Sequence, residues 1–459
     1  MSKKVNILRQ IRNSPLFLAA LVGLAACGGG GGAVAPLATA IPSTSDPAIA
    51  ASSFKGPIEH VVIIVQENRT FDGLFNGFPG SDTVQSGVMS NGQTVALRPD
   101  GLESPDDPNH FHSTWVQQYD GGKMHFDLGM PTTPTLPYAY VPSAETTPYW
   151  TLAREFTVAD RMFQSNTGPS FAAHQYLIAG TSQIGPSQFV DDNPYYQNYQ
   201  PINTNAPWGC DDPPGSFLTL LNLKGGVNGG ADVVGPFPCF DNRTLADEAD
   251  AAGETWRYYA PAIGTNGGVW SAFDAIRHVR YGPGWSNVIS PETQILTDAP
   301  TGKLANITWV IPTFLNSDHN SSATGPQWVA SVVNAIGKSP DWKSTAIFIT
   351  WDDWGGWFDH VVPPQLDGMG LGFRVPLIVV SPYAKHGYVS HVQHEDGSIL
   401  HFAEKTFGLA ALSQSDTRAD DLSDCFNFSQ QPAPFVPLAV TRTPDSFRHA
   451  PDSVPPDND

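Results

Sequence analysis

Four clusters of oxygen- and nitrogen-bearing side chains could do chemistry together: Glu67-Asn68, Ser170, Asn316-Ser317-Asp318-His319 and Asp352-Asp353. Adjacent carboxylates repel unless a cation or protons neutralise them. Asp352-Asp353 therefore reads either as a cation site or as a solvated acid pair in a loop. If Glu67 and Asn68 converge on it, the set offers carboxylate and amide oxygens, which suit one hard divalent cation such as Ca²⁺, Mg²⁺ or Mn²⁺. Ser170 lies in NTGPSFAAHQYLIAG. Gly168-Pro169 makes a turn and residues 171–179 read as a short helix, so Ser170 sits at a helix N-terminus. Free N–H groups and the helix dipole favour an anion there, which suits a hydroxyl attacking phosphorus, although an N-cap serine would look the same. His112 and His319 stand in polar loops and could donate a proton to a leaving oxygen or bind a phosphoryl oxygen. His174, one turn into the helix, is expected to pack or hydrogen-bond locally. His278, Asp359 and His360 complete the weaker candidates.

These groups need rigid elements to aim them. Residues 61–65, 307–311, 346–350 and 375–380 are short apolar runs rich in β-branched residues, as expected of strands buried on both faces. Three of the four end in the polar clusters above; residues 375–380 lead only to Ser381-Pro382. A helical pattern at 327–336 separates the second from the third. This alternation predicts an α/β fold with a mostly parallel central sheet flanked by helices. Ligands of such sheets bind beyond the strand ends. Residues 181–265 are dense in Gly, Pro, Asn and aromatics and read as a lid or insertion rather than core. The tail, 413–459, reads as peripheral.

The chain has 459 residues and a formal charge of −20. That charge argues against nucleic acid, whose phosphates demand clustered Lys and Arg, and against electrostatic attachment to anionic lipid. At the N-terminus, Lys3, Lys4, Arg9 and Arg12 precede an apolar segment over 15–26, too short to span a bilayer. This reads as a secretory signal. It ends Leu24-Ala25-Ala26-Cys27, similar to a lipobox in which Cys27 is lipidated, and a Gly-rich tether over 28–53 follows. An ordinary signal peptide with a chance cysteine is the alternative. Gly28 after the cysteine gives no Asp-type inner-membrane retention signal, so an outer-membrane anchor is expected. Cys210 and Cys239 flank one Gly/Pro-rich segment and are the better disulfide pair, which leaves Cys425 odd.

Taken in order, ENRTFD, HSTWVQQYDGGKM, GPS, SDH, WDDWGGWFDHVVPP, GFRVPLIVVSPYAK and GSILHFAEKTFGL resemble the bacterial phosphoesterase family of acid phosphatases and phosphatidylcholine-type phospholipases C. The resemblance covers residues 54–412. It implies an alkaline-phosphatase/sulfatase-like fold and a covalent phosphoryl-enzyme. Residue by residue, it implies that Glu67, Asn68, Asp352 and Asp353 hold one divalent metal, that Ser170 is the nucleophile and touches that metal, and that His112 and His319 surround the phosphate. The acid phosphatases carry an extra His-His pair in the middle region. YYAPAIG stands here instead, leaving His278 as a weak substitute.

The larger phospholipases of this kind resemble chains with extra C-terminal domains and a twin-arginine signal. Neither is seen here, so an acid-phosphatase-like phosphomonoesterase with a phosphoserine intermediate is the expectation and phospholipase C the close rival. A serine carboxylesterase, with Gly168-Pro169-Ser170-Phe171-Ala172 imitating a nucleophile elbow, and a non-catalytic surface-binding lipoprotein are readings of other classes. A sulfatase would need a C-x-P-x-R-type motif, which is absent around Ser170.

Overall fold

A computed structural model describes residues 56–196, 200–201, 207–221, 233–265, 267–319 and 323–450. Cys27, the signal segment and the tether lie outside them. Eight strands form the central sheet: β1 (His60–Gln66), β2 (Thr157–Ala159), β3 (Trp256–Tyr259), β4 (Val288–Ile289), β5 (Ile307–Val310), β6 (Thr345–Trp351), β7 (Leu377–Val380) and β8 (Tyr388–Ser390). Their order is β4-β3-β5-β1-β6-β7-β2-β8. Every pairing is parallel except the two made by β7, which runs against β6 and β2. The sheet is thus mostly parallel, as expected, with helices packed on it.

The strands at the centre are fully apolar because both faces are covered. Val61 to Val65 of β1 and Ile347 to Ile349 of β6 have no solvent exposure. Helix α1 (Ser170–Ala179) is buried around its whole circumference, which explains its near-unbroken apolar sequence. It ends at Gly180 in the left-handed conformation, φ 64°. Helix α2 (Gly325–Gly337) links β5 to β6, the right order for a parallel crossover. Among the described residues no helix is long and apolar enough to cross a membrane.

The strand expected at 375–380 is present as β7, the antiparallel member of the mostly parallel sheet. An apolar run carries no direction, and reversal sends Ser381 away from the edge where the polar clusters gather. Next, the end of the 181–265 segment is not lid. It contains the helix Leu245–Ala252 and β3, whose Trp256, Tyr258 and Tyr259 are in the core. Last, the described part of the tail is tied in by Leu422, Cys425, Phe426 and Phe447, all buried in that core.

Candidate active site

The sheet register sets the first pair of residues. Gln66 stands opposite Trp351 as the last paired position of β1 and β6. The next residues, Glu67 and Asp352, therefore leave the sheet side by side, and Asp352 N–H still reaches the Gln66 carbonyl at 3.0 Å. Both are fully buried. Ser170 approaches from the chain that follows β2. Gly168 makes that approach possible, since a Cβ there would lie 2.3 Å from the Asp191 carbonyl oxygen. Pro169 is the N-cap of α1, and Ser170 is its first helical residue with no side-chain cap. Its hydroxyl instead donates to Glu67 Oε2 at 3.1 Å and lies 3.5 Å from Asp353 Oδ2. The N-cap alternative is thereby excluded.

His174 follows Ser170 by one turn, so both project from one face of α1. Its Nε2 is 2.8 Å from Glu67 Oε1 and 3.6 Å from Asp352 Oδ2. Far from packing only locally, it joins the acid group. Burial pushes its pKa down and favours the neutral, metal-binding form. One ligand atom each from Glu67, His174 and Asp352 lies within 4.8 Å of the other two.

Asn68 has φ 56°, a left-handed conformation that Asn tolerates better than most residues. Gly355 permits it, because a Cβ at 355 would lie 2.7 Å from the Asn68 carbonyl oxygen. The Asn68 amide has two self-consistent settings. In one, Oδ1 lies 2.9 Å from both Asp352 Oδ1 and Glu67 Oε2, and Nδ2 donates to His110 Nε2 at 2.7 Å. His110 Nδ1 faces the Pro108 carbonyl at 3.0 Å, so it carries the proton and leaves Nε2 as acceptor in a neutral ring. Three oxygens then face one another, an arrangement a cation reconciles. In the other setting the amide is turned over. Nδ2 donates to both carboxylates, and Oδ1 accepts from His110 Nε2 at 2.7 Å and His319 Nε2 at 3.1 Å. That setting serves the cluster without a cation but requires a doubly protonated His110.

The donor chemistry thus fits a divalent metal. Burial drives the Glu67 carboxyl up to about 8 and holds Asp352 well above its ordinary range, with Glu67 adding to the shift. Asp352 Oδ2 has no hydrogen-bond partner. Among the described residues no Lys or Arg pairs with Glu67 or Asp352; their ion-pair partner is His174. Asp353 is anchored by the Gly355 N–H at 2.7 Å.

The other predicted residues divide. His319 reaches Asn68 and packs at a tilt against Phe314 and Trp270, with ring centroids 5.4 and 6.1 Å away. His112 sits behind the nucleophile turn, its Nδ1 3.2 Å from the Thr167 carbonyl. His278 is not brought in; it pairs with Asp241 and Asp247 and is 40% exposed. Asp359 and His360 are not brought in either. Arg374 grips Asp359 with two bonds of 2.8 and 3.0 Å, and His360 pairs with Asp72 at 2.6 Å. Arg374 also lies 3.5 Å from Asp72, so this second acid group already has its cation. His110 was missed. The signal was the H-x-H spacing in NHFHSTW, where one histidine precedes the helix His112–Tyr119 and the other begins it.

The serine-esterase geometry is not present. The preceding strand, Met162–Phe163, ends well before the turn, and the Ser170 hydroxyl faces carboxylates rather than an imidazole. Away from the site, Cys210 and Cys239 form a disulfide, and Cys425 is buried and free.

Comparison with known proteins adds relatives to this geometry. A model of the Phosphoesterase family matches residues 58–410. Phospholipase C B of Mycobacterium tuberculosis is 25% identical over 499 aligned residues, covering 88% of this chain and 86% of that protein. Non-hemolytic phospholipase C of Pseudomonas aeruginosa is 25% identical over 460, covering 85% of this chain and 60% of that protein. The solved structure of a protein in the alkaline phosphatase superfamily from Vibrio parahaemolyticus aligns over 82% of this chain and 72% of that one, with 11% identity and a TM-score of 0.40.

Proposed function

The chain belongs to the Phosphoesterase family, and we propose that it is an exported, metal-dependent phosphoesterase of the phospholipase C type, working through a phosphoserine at Ser170. The observation that carries this reading is the Ser170 hydroxyl, held 3.1 Å from Glu67 inside a buried group in which, among the described residues, no Lys or Arg pairs with Glu67 or Asp352. The preference for a monoester gives way because the relatives are named phospholipases C.

Glu67, Asn68, Asp352 and Asp353 would hold the cation, with His174 as a nitrogen donor that tilts the fit from Ca²⁺ and Mg²⁺ toward Mn²⁺ or a softer ion. Once bound, it supplies Lewis-acid neutralisation of the phosphoryl oxygens and lowers the pKa of the serine hydroxyl. Ser170 Oγ attacks phosphorus and Glu67 Oε2 takes its proton. His319, beside Asn68, hydrogen-bonds a phosphoryl oxygen. His112 is the donor to the departing alkoxide, and water then releases the phosphoryl group by the reverse geometry. Positioning and electrostatics provide most of the acceleration. The basic N-terminus and Leu24-Ala25-Ala26-Cys27 support export and an outer-membrane lipid anchor.

The test is an assay of the purified protein on phosphatidylcholine, an aryl phosphate and an aryl acetate, with and without chelator, beside Ser170→Ala. Chelator-sensitive release of a phosphorylated headgroup, lost in the variant, is expected. Faster aryl phosphate turnover would restore the monoesterase, and chelator-insensitive acetate hydrolysis would overturn the phosphoesterase assignment of the site.

A further inference from the structure

Cys425, the thiol left over by the disulfide, lies in a second group of ligand-type side chains that shares no residue with the catalytic cluster. Cys425 Sγ is 3.5 Å from Asp424 Oδ1, and His394 Nε2 is 3.6 Å from that same oxygen. One ligand atom from each of the three lies within 4.8 Å of the others. His394 and Cys425 are fully buried, whereas Asp424 is partly exposed and opens the group to solvent. The group brings together the strand His394–Glu395 and the turn Ser423–Cys425, beside Ser390 at the end of β8.

We propose that His394, Asp424 and Cys425 form a second metal site, for a zinc-like transition-metal dication. Zinc bonds of about 2.3 Å to sulfur and about 2.0 Å to nitrogen and oxygen give tetrahedral edges of roughly 3.3 to 3.6 Å. The sulfur–oxygen edge of 3.5 Å matches that geometry, and the nitrogen–oxygen edge of 3.6 Å is about 0.3 Å longer than the tetrahedral value. The charge matches as well. A thiolate and a carboxylate supply two negative charges for one dication, and the thiol proton leaves to solvent on binding.

The surroundings set up the imidazole as a ligand. Asp420 Oδ1 stands 3.1 Å from His394 Nδ1 on the far side of the ring. A carboxylate on that side resembles the outer partner of a carboxylate–histidine–metal arrangement, although Nδ1 is not aligned to hydrogen-bond it. Ser390 Oγ is 3.1 Å from Nε2, but its proton goes to Asp424 Oδ2 at 2.5 Å. No hydroxyl proton is then available to Nε2, and the Ser390 oxygen or a water can complete four-coordination. Sulfur and nitrogen donors make this a softer site than the catalytic one. The alternative is an imidazole packed between two aspartates beside an inert thiol.

Cobalt(II) separates the two. The full chain is prepared with Cys27→Ser, so that Cys425 is the only cysteine outside the disulfide, and titrated with Co²⁺. A sulfur-to-cobalt charge-transfer band in the near ultraviolet is expected, absent in Cys425→Ser and retained in Asp353→Asn, which alters only the catalytic cluster. A folded, cobalt-loaded protein without the band, or a band that survives Cys425→Ser, overturns the proposal. Should Cys425→Ser not fold, alkylation of the parent protein reads the same contact. Zinc should slow modification of Cys425 at least tenfold and chelator should reverse this; equal rates count against the site.

Discussion

Glu67→Gln should act in opposite directions with and without metal. Burial raises the Glu67 carboxyl from 4.5 to about 8 in the folded, metal-free protein. Between those values the folded state holds a proton that the unfolded state has released. The contribution of this group to stability is therefore fully present below pH 4.5 and is lost as pH rises toward 8. At pH 7, about 2.5 pH units above the unfolded value and at about 1.4 kcal/mol per unit, the loss from this group is about 3 to 4 kcal/mol. Glutamine keeps the shape and cannot ionise, so the variant should recover most of it. With an unfolding entropy of about 2 cal/mol/K per residue over roughly 400 residues, 3 kcal/mol corresponds to about 4 °C in melting temperature. Scanning calorimetry in chelator from pH 5 to 8 is the assay. The wild type should lose stability across that range, and the variant should lose less and melt higher at pH 7. Saturating metal should reverse the ranking at pH 7, because the variant lacks a charged ligand, and its turnover should be abolished. If chelated wild type and variant have the same pH dependence, the premise that Glu67 sits in an unneutralised buried group is wrong.

Ser170→Ala should reduce phosphoester turnover by at least about 10³-fold, since nucleophile and proton acceptor act as a unit, while the melting temperature stays within a few degrees. His110→Ala should weaken metal binding roughly 10- to 100-fold by releasing the Asn68 amide; unchanged affinity by isothermal titration would remove His110 from the site. Arg374→Met leaves Asp359 and Asp72 buried without their cation and should cost about 3 to 5 kcal/mol in denaturant unfolding. Gly355→Ala, whose φ of 60° and 2.7 Å approach to Asn68 leave no room for a Cβ, should cost about 1 to 3 kcal/mol and weaken metal binding too.

How much of this was legible depends on what each residue's neighbours in sequence reveal. β1, β5 and β6 were readable because a strand covered on both faces must be apolar throughout, and the polar residues at their ends then mark the functional edge. β3 escaped notice because Trp-Arg-Tyr-Tyr carries a charge and sits at the end of a Gly/Pro-rich stretch. The direction of β7 could not be read at all, as periodicity is the same either way. His174, one of the weaker candidates, is a different case: the structure places it in the acid group. Its four-residue spacing from Ser170 placed it on the nucleophile's face of the helix, and that signal was available.

The acids show the limit most clearly. Asp352-Asp353 and Asp359-His360 lie in one loop, and each follows the motif by which a metal ligand would be recognised. What separates them is Arg374, fifteen positions further along the chain and on the far side of a loop. Its guanidinium neutralises Asp359 and Asp72, whereas among the described residues no Lys or Arg pairs with Glu67 or Asp352. A buried carboxylate becomes a candidate metal ligand through the absence of another positive partner within reach. That absence belongs to the packing of the whole sheet edge, where no local motif can state it. Within the same chain Arg374→Met would turn the distinction into a measurement: the second acid group, once emptied of its arginine, should begin to bind divalent metal weakly, whereas the catalytic group should keep its own affinity.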